Sequence, residues 1–117
     1  MNAQQKQNLL NAGVQYDTAL ARFMNNEALL DKFLRKFLQD PNYHALDAAL
    51  QDGDTDAAFR AAHTLKGVAG NLSIDPLFQV VSRQTELLRA HDLDAARALQ
   101  PEVTACYASI TAALRTL

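Results

Sequence analysis

The chain has 117 residues, 49% of them hydrophobic and 7% aromatic, with only seven Val or Ile and no Trp. This mixture excludes sheet-rich and disordered folds, and the length suits one domain with no room for an ATP-binding module. Eleven Lys and Arg against thirteen Asp and Glu leave a net charge of -2, so there is no global basic field for nucleic acid and no cationic patch for a membrane surface.

In chain order, residues 1–24 read as two short helices, 2–12 and 17–24, that cover one end of a core. Asn25 and Asn26 precede an amphipathic run over 27–38, with Leu30, Phe33, Leu34, Phe37 and Leu38 at helical spacing. Asp40, Pro41 and Asn42 break that run, and 43–50 resumes it. Gly53 lies in a turn after which Asp54 or Thr55 caps a helix over 55–72. A second turn at 73–76 offers Asp75 as N-cap and Pro76 as first helical residue. His91 and Asp92 then separate that helix from a last one reaching Leu114, in which Pro101 is expected to kink the helix or split off its first turn.

Residues 54–58 and 92–96 both read Asp-x-Asp-Ala-Ala, the same capping solution used twice. The expected fold is all-α: an antiparallel up-down four-helix bundle over 26–115, with short extra N-terminal helices. No window holds the roughly eighteen apolar residues that cross a bilayer, and the polar N-terminus lacks a signal-peptide centre. A soluble, cytoplasmic monomer without membrane contact is the expectation. Cys106 reads as a small packed hydrophobe; a single thiol forms no internal disulfide, which fits a reducing compartment.

One helix departs from ordinary bundle filler. Over 55–72, Ala58, Ala62, Leu65, Ala69 and Leu72 form the apolar stripe at about 100° per residue. His63, Gly67 and Gly70 share a different side, with Lys66 at its edge. Each glycine costs roughly 1 kcal/mol relative to Ala in a helix interior. Close packing of a neighbouring helix would place the glycines on the core stripe, and they lie off it. The alternative is that they clear space around His63 so that another protein's reactive centre can reach it, with Lys66 set beside an anion carried on the imidazole.

The run His63-Thr64-Leu65-Lys66-Gly67-Val68-Ala69-Gly70-Asn71-Leu72 resembles the signature of histidine-containing phosphotransfer (HPt) domains of bacterial multistep phosphorelays. The resemblance extends from about Tyr16 to Leu114, through the run 26–40, the Gly53-Asp54 turn and the helix at Leu77. It implies a four-helix bundle in which His63 accepts a phosphoryl group from a receiver-domain aspartate and Lys66 helps to hold it. Phe59, Gly67, Gly70 and Asn71 become candidates for partner docking. The family often has Gly where this chain has Ser73. It also often places Gln or Glu opposite the phosphohistidine; that position falls on Thr85, between Gln84 and Glu86, so Gln84 and Thr85 are the candidates for a contact from the second helix.

An imidazole can present a neutral nucleophilic nitrogen near pH 7, and phosphoryl transfer asks mainly for alignment and charge neutralisation. No acidic cluster suited to Mg²⁺ adjoins His63 in sequence. The expectation is a phosphocarrier, not an enzyme, with no cofactor or metal of its own; Mg²⁺ comes with the receiver. The implied partners are receiver domains of a hybrid sensor histidine kinase and of a response regulator. A sensor-kinase dimerisation helix is opposed by Thr64 and by the absence of Pro soon after His63. A di-iron bundle is opposed by the spacing of Glu27, Glu86 and Glu102. His44 and His91 read as solvated surface residues, and Phe23, Phe33, Phe37, Phe59 and Phe78 as core or core edge. The rival from another class is a helical adaptor that binds receiver or kinase domains without carrying phosphate; an adaptor needs neither His63 nor Lys66.

Overall fold

The computed structural model describes all 117 residues. Polar caps start most of its helices. α1 (Ala3–Asn11) begins at Asn2, whose side chain accepts from the Gln5 N–H while the Gln5 side chain accepts from the Asn2 N–H. After α2 (Tyr16–Arg22), the Asn26 side chain accepts from the Leu29 N–H and starts α3 (Glu27–Lys36). α3 ends sooner than its apolar spacing suggests, tightening into a 3-10 turn over Phe37–Gln39. Pro41 is the cause, because its ring disfavours helical geometry at the residue before it, and Asp40 is extended with ψ 126°.

α4 (Asn42–Asp52) closes on Gly53, which takes the left-handed conformation that a helix C-terminus favours, φ 72°. Asp54 caps α5 (Thr55–Asn71) and Asp92 caps α7 (Leu93–Leu114), each accepting from the N–H three residues on. α6 (Asp75–Arg89) starts one residue before the expected point. Ile74 is its N-cap, since that side chain is drawn into the core and its carbonyl accepts the first helical bond from Phe78. α7 runs unbroken through Pro101 although Pro101 has no N–H to give the Arg97 carbonyl, so of the two expected outcomes, a kink or a split-off first turn, the split does not occur.

The architecture is the expected all-α up-down bundle, with one composite corner made of α3, the 3-10 turn and α4. Cross-links fix that corner antiparallel to α7: Arg35 to the Leu117 carbonyl, Tyr43 to Thr104, Gln100 to Asp47, and Arg97 to the Leu50 carbonyl. The rings of Tyr43 and Tyr107 stack at 3.9 Å midway along the seam. α5 fits between α4 and α6 because Ala58, Ala61, Ala62 and Ala69 are all buried and let backbones approach. Leu65 on the same stripe is fully buried; truncating such a residue to Ala costs about 2–5 kcal/mol. With that stripe turned inward, the opposite side of α5 is left to solvent.

The two N-terminal helices are tied down. α1 covers the end of α7 through Gln5 and Asn8, which bond the Thr116 carbonyl and hydroxyl. The α1–α2 turn pairs with the α5–α6 turn: Val14 and Ile74 form an isolated antiparallel bridge, the Gln15 N–H donates to the Ser73 carbonyl, and the Asp75 N–H donates to the Gly13 carbonyl. Gly13 has φ +97°, and a Cβ there would collide with the Pro76 ring, so only glycine fits this clasp. Buried Tyr16, Ala19 and Phe23 then hold α2 against the bundle. No helix is long and apolar enough to cross a membrane.

Candidate functional site

The exposed side of α5 carries His63, Thr64 and Gly67 in the open, with Lys66 half-buried beside them. Thr64 turns its hydroxyl back to the Arg60 carbonyl at 3.0 Å, which takes it out of competition with His63. One turn earlier, the Phe59 ring lies against the imidazole with centroids 5.9 Å apart and planes 21° from parallel. Arg89 of α6 lies over that same phenyl ring, 5.0 Å from its centroid, and is itself paired with Glu86 at 3.3 Å.

Two depressions flank this ridge, and His63, Gly67 and Asn71 line both. The larger, about 780 Å³, lies toward α3 and the 3-10 turn, with Phe33, Phe37 and Val68 as apolar walls and Lys36 at its rim. Phe33 is held there by Phe23, ring centroids 5.3 Å apart, and is 37% exposed. The smaller, about 420 Å³, lies toward α2 and α6, between Arg22, Lys66 and Phe78. Arg22, Lys36 and Lys66 form no ion pair within the chain. Asp40, also on the larger depression, is engaged by the Asn42 backbone and side chain. The surroundings of His63 are therefore locally cationic, although the whole chain is weakly acidic.

The two glycines separate in role. Gly67 has nothing within 4 Å of the place its side chain would occupy, so it leaves His63 approachable. Gly70 sits under Phe78, where a Cβ would come within 3.1 Å of the ring. Its missing side chain serves the packing of α6 on α5, which corrects the expectation that both glycines clear the site for a partner. Both still line the smaller depression with Asn71, which is exposed.

Gln84 and Thr85 are not part of this face. Both are fully buried. The Gln84 amide donates to the Ala96 carbonyl and to Gln100, toward α7 and away from α5, and the Thr85 hydroxyl donates to the Val81 carbonyl. A side chain spent on such bonds offers nothing to an anion on His63. The α6 residues that do come to the ridge are Phe78 and Arg89, neither of which sequence spacing singled out as a site residue. Arg22 was also missed, because it reaches the site through the clasp between two distant turns and no local pattern announces that. His44 and His91 are exposed and line neither depression. No three His, Cys, Asp or Glu side chains converge in a metal-ligating group.

Residues 28–113 match the family model of the Hpt domain. Comparison with curated proteins and with solved structures gave no significant match.

Proposed function

The chain belongs to the Hpt domain family, whose members are histidine phosphotransfer modules of phosphorelays working with receiver domains, and from that premise we propose that His63 is its phosphoryl acceptor. A lone pair on an imidazole nitrogen attacks the phosphorus of a receiver's aspartyl phosphate. The P–N bond forms as the acyl P–O bond breaks, and the electron pair returns to the carboxylate oxygen. The reverse step delivers the group to a second receiver. One receiver belongs to a hybrid sensor histidine kinase and the other to a response regulator.

Positioning and charge carry this chemistry, since the transferring group needs alignment and neutralisation more than acid–base help. This chain brings an oriented, exposed His63, a clear approach over Gly67 and the Lys66 cation. The receiver brings the aspartate and its Mg²⁺. With no cofactor of its own, the protein acts as a carrier, alternately substrate and donor. The observation that carries the reading is the exposed His63 between two open depressions, beside a glycine with nothing over it and three unpaired cations.

The test is incubation with a phosphorylated receiver domain and Mg²⁺, followed by assay for acid-labile, base-stable phosphate on this chain. His63→Gln should abolish uptake while the melting temperature stays within a degree or so, because an exposed side chain contributes little to folding. His44→Gln and His91→Gln should take up phosphate normally. A wild-type chain that binds the receiver but never acquires phosphate would replace this reading with that of an adaptor.

A further inference from the structure

We infer that Arg22 is a second cation for the phosphoryl group on His63, supplied by α2 from outside the segment that defines the family. The inference rests on the reading of His63 as acceptor and adds a residue that the Hpt match, which begins at residue 28, does not cover. A phosphoryl group carries close to two negative charges and three acceptor oxygens, so one ammonium such as Lys66 leaves charge and oxygens unmatched. A guanidinium can answer two of those oxygens at once.

Placement follows from the fold. The Gln15 N–H is bonded to the Ser73 carbonyl, so α2 starts beside the end of α5. Arg22 lies six residues beyond Tyr16, and Gly67 lies six residues before Ser73. At the α-helical rise, Arg22 stands about 9 Å from the start of α2, the same distance that separates Gly67 from the Ser73 turn. Arg22 accordingly lines the same depression as His63, Lys66 and Gly67.

Nothing in the chain neutralises this cation. Arg22 is exposed and, like Arg60, Arg97 and Arg115, makes no ion pair, but of these four it alone lines a depression beside His63. It occupies the last turn of α2, where a cation complements the helix C-terminus and needs no acidic neighbour. The clasp through Gly13, Val14 and Ile74 fixes where the backbone of α2 starts, which keeps the Arg22 side chain within reach of the site.

The test is the equilibrium constant for phosphoryl exchange between this protein and a receiver domain, measured on the free species after exchange has settled. A group that binds phosphate on His63 favours the phosphorylated protein and shifts this constant. A group that only helps the receiver dock changes KM and leaves the constant alone. Arg22→Gln should lower the constant about three- to fivefold, the scale of an exposed ion pair. Arg22→Lys should recover part of the loss, and the remote Arg115→Gln should show none. Arg22→Gln and Arg22→Ala should remain folded, with melting temperatures lowered only by the loss of one cation at the end of α2, and Arg22→Ala repeats the test without a new polar group.

An unchanged constant in folded Arg22→Gln and Arg22→Ala overturns the inference, whether KM moves or not, while leaving His63 as acceptor untouched. Failure of the wild type to take up phosphate at all overturns the proposed function instead.

Discussion

Phe78 lies so close over Gly70 that a Cβ there would come within 3.1 Å of its ring, whereas Gly67, one turn earlier on the same helix, faces open space. Two glycines on one side of α5 thus answer different demands. Gly67→Ala should raise the melting temperature by relieving a helix penalty of roughly 1 kcal/mol. Gly67→Gln should fold as well as the wild type yet transfer phosphate at least about tenfold more slowly, a barrier of roughly 1.4 kcal/mol. Gly70→Ala gains the same helix term but must displace the Phe78 ring, with strain of about 1–3 kcal/mol for overpacking, so its melting temperature should fall. Thermal melts and transfer rates on the three variants check the division; a destabilised Gly67→Gln that transfers normally would reverse it.

Lys66→Ala should slow transfer and shorten the lifetime of the phosphorylated protein. The side chain is half-buried and unpaired, and the expected loss is about 1.5–3 kcal/mol, the scale of a hydrogen bond to a charged group. Single-turnover rates measured with one phosphorylated receiver check this. Rates equal to the wild type would remove Lys66 from the mechanism.

Gln84→Ala separates architecture from chemistry. Gln84 is fully buried and links α6 to the Ala96 carbonyl and to Gln100, which in turn bonds Asp47 of α4. Deleting it opens a cavity and strands the Ala96 and Gln100 acceptors, at about 2 kcal/mol or more. Denaturant midpoints should drop, and the transfer rate of the folded fraction should be unchanged. A slowed transfer at full stability would return Gln84 to the site.

Cys106 gives a prediction in pH. Burial pushes its thiol pKa up, and the Glu102 charge adds to that. At a given pH less thiolate is present than in an unstructured thiol, so reaction with a disulfide reagent near pH 8 should be slower and should keep rising at higher pH. The neutral thiol is the form the fold prefers, so its contribution to stability is present below the unfolded pKa and is lost as pH climbs through the folded one. Reaction rate against pH in native protein and in urea checks both; coincident curves would contradict the burial.

Local rules were legible where the cause was local. Asn26, Asp54 and Asp92 cap the helices their positions announced, and the apolar stripe from Ala58 to Leu72 is buried at each of its five residues. His63 and Gly67 stood out because a glycine beside a histidine in mid-helix has a cost that needs a reason. What stayed hidden depends on which helix lies opposite. Gly70 shares a helical side with Gly67, and only the crossing of α6 gives it Phe78 as neighbour. Gln84 and Thr85 are polar residues in an amphipathic helix, and their burial follows from α7 packing beside α6. Pro41 reads as a break in the sequence, but its reach back to Asp40, which turns residues 37–39 into a tighter helix, leaves no mark in the apolar spacing.

The clasp between the two turns also sets an order of assembly. Successive helices of an up-down bundle meet through short connections, so most of the core can form from contacts close in sequence and form fast. The bridge between Val14 and Ile74, and the bonds from Gln5 and Asn8 to Thr116, close loops of some sixty to more than a hundred residues. Loop closure of that length is entropically slow to be rewarded. We expect α1 and α2 to dock last, onto a bundle already folded, and to detach first: their amides should exchange with solvent before those of α5. If so, the molecule has a short-lived form in which His63 is intact but Arg22 is away from it, and the phosphoryl group's second cation comes and goes with the fraying of the chain's own beginning.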